Sequence, residues 1–132
     1  MLKIEITNLP QGLSDSEIEA VVGDACHKLG LDISNSILEI DFVPSKKMAE
    51  LNLSYRNVTG STDVLSFPQT NLKFDQNIFG TIVISPDDAK ERGEEIKELV
   101  RHGLLHLAGY DHDSDSARWL GAAKIINHNM GL

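Results

Sequence analysis

The 132-residue chain has one cysteine, one tryptophan and two tyrosines, and 12 basic residues against 20 acidic ones. Each shortage excludes something. Cys26 stands alone and cannot form an internal disulfide; its place in the helical pattern EIEAVVGDACHKLG makes it a small core residue. No apolar run is long enough to cross a bilayer, so no membrane partner is expected. The opening MLKIEITNLP has no cleavable leader pattern and alternates like a strand. These absences point to a cytoplasmic protein. A net charge of −8 is unlike that of a general nucleic-acid binder, and no DNA partner is expected.

The charge is unevenly spread. Residues 1–45 and 84–132 are acidic, whereas residues 46–83 carry Lys46, Lys47, Arg56 and Lys73 against three acidic residues. If a polyanion binds, this middle third is expected to supply the positive groups, with Lys46, Lys47, Lys73 and Arg56 as RNA-binding candidates. On charge alone, the simpler account is a chain kept soluble by acidic helices.

The length and an apolar fraction of 41% suit a single domain over residues 1–132. Leu2, Ile4 and Ile6 alternate as in a strand, and Leu38, Ile40 and Phe42 do so again before Pro44. Between them, Ser14 and Glu17 form a capping-box pattern for a helix running to Leu29, with Gly30 at its end. Ser45 is placed to cap a short helix carrying Met48, Leu51 and Leu53, and residues 56–62 read as a loop. DVLSF and IFGTIVIS read as strands on either side of the polar stretch QTNLKFDQN. Ser85-Pro86 starts a helix, Gly93 separates it from the next, and Ile96, Leu99, Val100, Leu104 and Leu107 recur at helical spacing up to Gly109. A last helix spans about Ser116 to Asn127. The order β-α-β-α-β-β-α-α-α predicts an α+β domain: a small four-stranded sheet packed against several helices, one of them a zinc-peptidase-like metal helix.

The chemistry is concentrated in HGLLHLAGYDH, residues 102–112. His102 and His106 lie one helical turn apart on one face, so both imidazoles can reach one ion. Gly109 can adopt the left-handed conformation that ends the helix and returns the chain, which brings His112 to the same point. Three neutral imidazoles suit one zinc ion with a position left for water; nickel, cobalt or iron fits the same nitrogens. The spacing is that of the long zinc-peptidase motif, in which a glutamate general base follows the first histidine. Here that residue is Gly103, so the peptidase catalyst is missing. One reading of the glycine is that it makes room for a bulky substrate. His27 and His128 belong to no such pattern and read as structural or surface residues, Tyr110 as a packing residue and Trp119 as core.

Together with LNLSYRNVTGSTDVLSFP and FGTIVISP, the segment LVRHGLLHLAGYDHD resembles the YbeY family of bacterial endoribonucleases and ribosomal RNA maturation factors, over roughly Leu51 to Asp113. The resemblance implies a metal at His102, His106 and His112. It also implies that Arg56 is a functional arginine beside that metal, with Arg56 and His102 as the catalytic pair, and that Asp63 supports the site. A planar guanidinium suits Arg56 to a phosphate. Asp111 is the favoured carboxylate for orienting a ligand imidazole, ahead of Asp113. The activity implied is metal-dependent, single-strand-specific RNA cleavage in ribosomal RNA maturation and ribosome quality control, with ribosomal RNA and the small ribosomal subunit or a ribosomal protein as partners. The alternatives are another zinc hydrolase, acting on a peptide or ester, and a non-catalytic assembly factor with a structural metal. Three departures stand out: Thr81 where relatives carry an aspartate, no lysine in NVTGS, and Arg101 where relatives are apolar. Arg101 either restores positive charge near the site or faces solvent.

Overall fold

The computed structural model describes residues 2–31, 35–68, 78–126 and 128. Four strands, β1 (Lys3–Thr7), β2 (Ile37–Phe42), β3 (Val64–Pro68) and β4 (Ile78–Ile84), form one sheet in the order β1-β2-β4-β3. β1, β2 and β4 are parallel, and β3 pairs antiparallel with β4 as an edge strand. Five helices accompany them among the described residues: α1 (Asp15–Leu29), α2 (Ser45–Arg56), α3 (Pro86–Glu91), α4 (Ile96–Leu107) and α5 (Ser116–Ile125). The element order is the one expected from the alternating and helical patterns.

Local signals account for most of the boundaries. Ser14 Oγ accepts the Glu17 N–H (3.2 Å) and Glu17 Oε2 accepts the Ser14 N–H (2.8 Å), a complete capping box for α1, and Gly30 closes that helix at φ +66°. Ser85 caps α3, whose first turn contains Pro86. Two expectations are corrected at α2. Ser45 is its first residue and not its cap; Pro44 holds the cap position without a side-chain bond. The helix also continues through Tyr55 and Arg56, because Asn57 takes up the left-handed conformation (φ +57°) that ends it.

The sheet has two unequal sides. On one, Leu38, Ile40, Ile82 and Ile84 meet α1, α4 and α5 in the main core. Fully burying an aliphatic side chain contributes roughly 1.5–3 kcal/mol. On the other, Val83 and Leu65 join Val43 and Met48 in a small cluster under α2. α4 lies unusually close to β4. A Cβ on Gly80 would come within 2.6 Å of Leu107 Cδ2, and one on Gly103 within 2.8 Å of Ile82 Cγ2. A glycine on each element therefore lets helix and strand meet at backbone distance. Gly103 is buried in this contact, and its carbonyl accepts a hydrogen bond from Ser66 Oγ of β3 (3.3 Å). The glycine is thus a packing residue directed at the sheet, and the reading that it opens space for substrate is corrected.

Candidate metal centre

His102 and His106 project from the last two turns of α4. Gly109, at φ +98°, then turns the chain, and Tyr110 N–H closes the helix end on Leu105 O (3.0 Å). His112 returns to the other two: the candidate ligand atoms of all three histidines lie within 4.8 Å of one another. α5 holds this turn in place. Arg118 Nη1 donates to Gly109 O (3.3 Å), and its guanidinium lies 4.3 Å from the centre of the Tyr110 ring.

Trp119, 1% exposed, forms the floor. Its ring centroid is 5.0, 4.9 and 5.1 Å from those of His102, His106 and His112. Helical spacing marked it as core, but spacing alone could not say what it packs against. The second unforeseen neighbour is His128. Its side chain is 3% exposed, its Nδ1 is 3.2 Å from Glu98 Oε2, and its ring centroid is 5.6 Å from that of His102. No pattern in the sequence pointed to it, because it lies beyond the last helix.

Burial pushes His102 down to about 3, helped by the neighbouring imidazoles of His106, His128 and His112. Burial also lowers His106, with His112 adding to the effect while Asp111 and Asp113 oppose it. Both rings are therefore neutral at pH 7, the form that donates a lone pair to a metal. His112 Nδ1 lies 3.0 Å from Asp113 Oδ1; a proton held there leaves Nε2 as the free donor atom. Asp113 is the carboxylate within hydrogen-bonding distance of this imidazole, and that of Asp111, the expected one, lies within 4.8 Å of the same ring's candidate ligand atom. Asp111 Oδ1 accepts the Asp113 N–H (2.9 Å) and so shapes the loop. Neutral nitrogen donors, close spacing and a carboxylate behind one ring fit a transition-metal ion, and the cluster can hold one.

The cluster opens into a cavity of about 590 Å³ that runs along the edge strand β3. Tyr55 and Arg56 border it from the end of α2, and Asp63 from the strand entrance. Arg56 is exposed and makes no ion pair among the described residues. Asp63 instead accepts the Val64 N–H (2.9 Å) and lies 3.5 Å from Arg92 Nη1. Lys46 and Lys47 are not brought to the cavity. They occupy the first turn of α2, about 15 Å along the helix from Arg56, and Lys47 pairs with Glu50 (3.9 Å). Lys73 lies outside the described residues. Arg101 is bound by Glu98 (3.2 Å) and is not among the cavity-lining residues, so it does not restore charge there. Thr81 Oγ1 donates to Glu39 Oε1 (2.8 Å) across the sheet and is likewise not part of the cavity wall.

Fold and site together define an α+β domain with a histidine cluster able to take a metal, set on the rim of an edge-strand cleft. The family profile of Endoribonuclease YbeY matches residues 4–120, and the chain belongs to that family. It is 36% identical to the Endoribonuclease YbeY of a Sulfurovum species, over 83% of this chain and 82% of the relative. It is 42% identical to that of Campylobacter jejuni, over 76% and 79% respectively. The solution structure of TM1509 from Thermotoga maritima shares the fold, with a TM-score of 0.54 at 24% identity over 95% of this chain and 87% of the other. Among the described residues no helix is long and apolar enough to cross a membrane.

Proposed function

We propose that the protein is a metal-dependent endoribonuclease that cuts single-stranded RNA, acting in ribosomal RNA maturation and ribosome quality control in the cytoplasm. The observation that carries this reading is the placing on one cavity of three convergent imidazoles and an arginine, Arg56, that makes no ion pair among the described residues. Membership of a family whose curated relatives are named endoribonucleases supports it.

His102, His106 and His112 would hold the ion, zinc or another divalent transition metal such as nickel. When bound, such a metal supplies Lewis acidity and brings the pKa of a coordinated water toward ~7. The protein's own groups do the rest. Asp113 keeps a proton on His112 Nδ1 and so fixes the tautomer. Trp119 excludes water from beneath the histidines. Arg56 offers a planar fork to two non-bridging phosphate oxygens, where negative charge develops as the phosphodiester is attacked. Gly103 leaves no carboxylate beside the first histidine to shuttle a proton to an amine, which favours a phosphodiester over a peptide. With a net charge of −8, a basic ribosomal protein on the small subunit is the proposed means of bringing the RNA to the cleft.

The test is cleavage of an end-labelled single-stranded RNA by the zinc-loaded protein, with Arg56→Ala and His106→Ala proteins purified by the same route. Loss of cutting in both variants supports one active site. Cutting that survives in both points to a contaminant and removes the enzymatic reading. Metal bound at one per chain with no RNA cut favours the assembly-factor alternative, and native peptidase or esterase activity favours the other hydrolase.

A further inference from the structure

We infer that Tyr55, braced by Phe67, is a stacking platform for the nucleobase next to the phosphate that Arg56 holds. This inference rests on the RNA reading above and adds a binding subsite to it.

Three observations carry it. First, Tyr55 is 68% exposed, yet its ring is held: Phe67 meets it edge-to-face, with centroids 5.1 Å apart and planes at 65°. A tyrosine retained for packing would be mostly covered. This one leaves much of its surface open while Phe67 sets its position. Second, Tyr55, Phe67 and Arg56 line the same cavity as His102, His106 and His112. Because Tyr55 and Arg56 both border this cavity, base-binding and phosphate-binding groups can serve neighbouring parts of one strand. Third, the platform is anchored to the fold. It stands in the last turn of α2, and the loop that follows is tied back by Asn52, whose buried Nδ2 donates to Gly60 O (2.9 Å).

The electrostatics favour such a contact. Phosphate neutralisation ordinarily supplies most of the affinity for RNA, and a chain of net charge −8 is poorly equipped for it. Stacking on an aromatic face does not depend on net charge and tolerates any base. It also selects for single strands, because a base within a duplex already has both faces covered by its neighbours.

Steady-state cleavage by the zinc-loaded full chain tests the inference. Wild type, Tyr55→Ala and Tyr55→Phe would act on one labelled single-stranded RNA and on copies carrying a single abasic nucleotide at successive positions around the cut. Tyr55→Ala is expected to raise KM about tenfold, the loss typical of one stacked base, with little change in kcat, while Tyr55→Phe stays near wild type. One abasic position should raise the wild-type KM similarly and add nothing to the defect of Tyr55→Ala. An unchanged KM in Tyr55→Ala overturns the platform, as do Tyr55→Ala and abasic penalties that multiply at every position. An unchanged thermal midpoint for Tyr55→Ala identifies the KM effect as one on binding. Wild-type protein that cuts none of these RNAs would contradict the RNA reading itself, a result distinguishable from failure of the platform alone.

Discussion

Gly103 on α4 and Ile82 on β4 meet with no room between them: a methyl on the glycine would sit 2.8 Å from Ile82 Cγ2 and 3.0 Å from its Cγ1. Ile82 is fully buried and branched at Cβ, so it has little freedom to withdraw. Alanine in place of a helical glycine normally gains up to ~1 kcal/mol. Overpacking of a filled core costs roughly 1–3 kcal/mol, and here that loss is expected to win. Gly103→Ala should therefore lower the urea midpoint, and adding Ile82→Val should recover part of the loss. Equal or greater stability of Gly103→Ala alone would show that the contact is slack. For the same reason, Gly103→Glu cannot restore a peptidase base without displacing α4 from the sheet.

The loop that follows Arg56 is held from behind by Asp88, which is 8% exposed. Its Oδ2 accepts hydrogen bonds from Ser61 Oγ and Ser85 Oγ, both at 2.6 Å. Burial works against the carboxylate, but the serine hydroxyls and the Arg92 charge outweigh it, and its pKa lies below the ordinary aspartate value. The unfolded chain therefore takes up this proton first on acidification. The stabilisation is complete above the ordinary value of 3.8 and is lost as pH falls below it through the folded pKa. Asp88→Asn should cost about 1.5–3 kcal/mol at pH 7, the range for hydrogen bonds to a charged group. The gap to wild type should narrow in urea titrations near pH 3, whereas a gap independent of pH would contradict this assignment.

Trp119 is the sole tryptophan, and its ring stands about 5 Å from each of the three histidine rings. Its fluorescence should therefore change as nickel, cobalt or zinc is added, reaching a plateau at one ion per chain. The same titration of His106→Ala should be flat. An identical response in both proteins would place the metal elsewhere.

Metal should also stabilise the fold, because a ligand that binds only the native state adds ~2.7 kcal/mol at a hundred times its Kd. The thermal midpoint is expected to rise with zinc and fall back with chelator in wild type. His102→Ala and His112→Ala should lose this response. A zinc shift retained in either would remove that histidine from the ligand set.

Much of this was legible in the sequence because the signals were local. The Ser14–Glu17 box, the Ser85-Pro86 start and the alternating strands fix where elements begin and end, and the histidine spacing on a helix names the cluster. What was missed depends on the third dimension. Asn57 can end a helix or sit in a loop, so the extension of α2 through Arg56 was not visible. Apolar spacing marked Trp119 as buried but not as the floor beneath the histidines. The sequence around Gly103 does not reveal its sheet partner, because Ile82 is distant along the chain. Lys46 and Lys47 fall in the least acidic third of the chain, but the helix carries them to the end opposite Arg56. Asp111 has the better claim on paper because it lies inside the motif, and only the fold of the turn brings Asp113 into hydrogen-bonding distance of His112.

The most direct test is a zinc titration of the chelator-stripped protein, with bound metal and the rate of single-stranded RNA cleavage read from the same samples. The expected result is cleavage that is absent without metal, rises in proportion to bound zinc, saturates at one ion per chain and disappears in His106→Ala. Full cleavage by stripped protein, or activity that tracks no stoichiometric site, would contradict a metal-dependent centre at His102, His106 and His112.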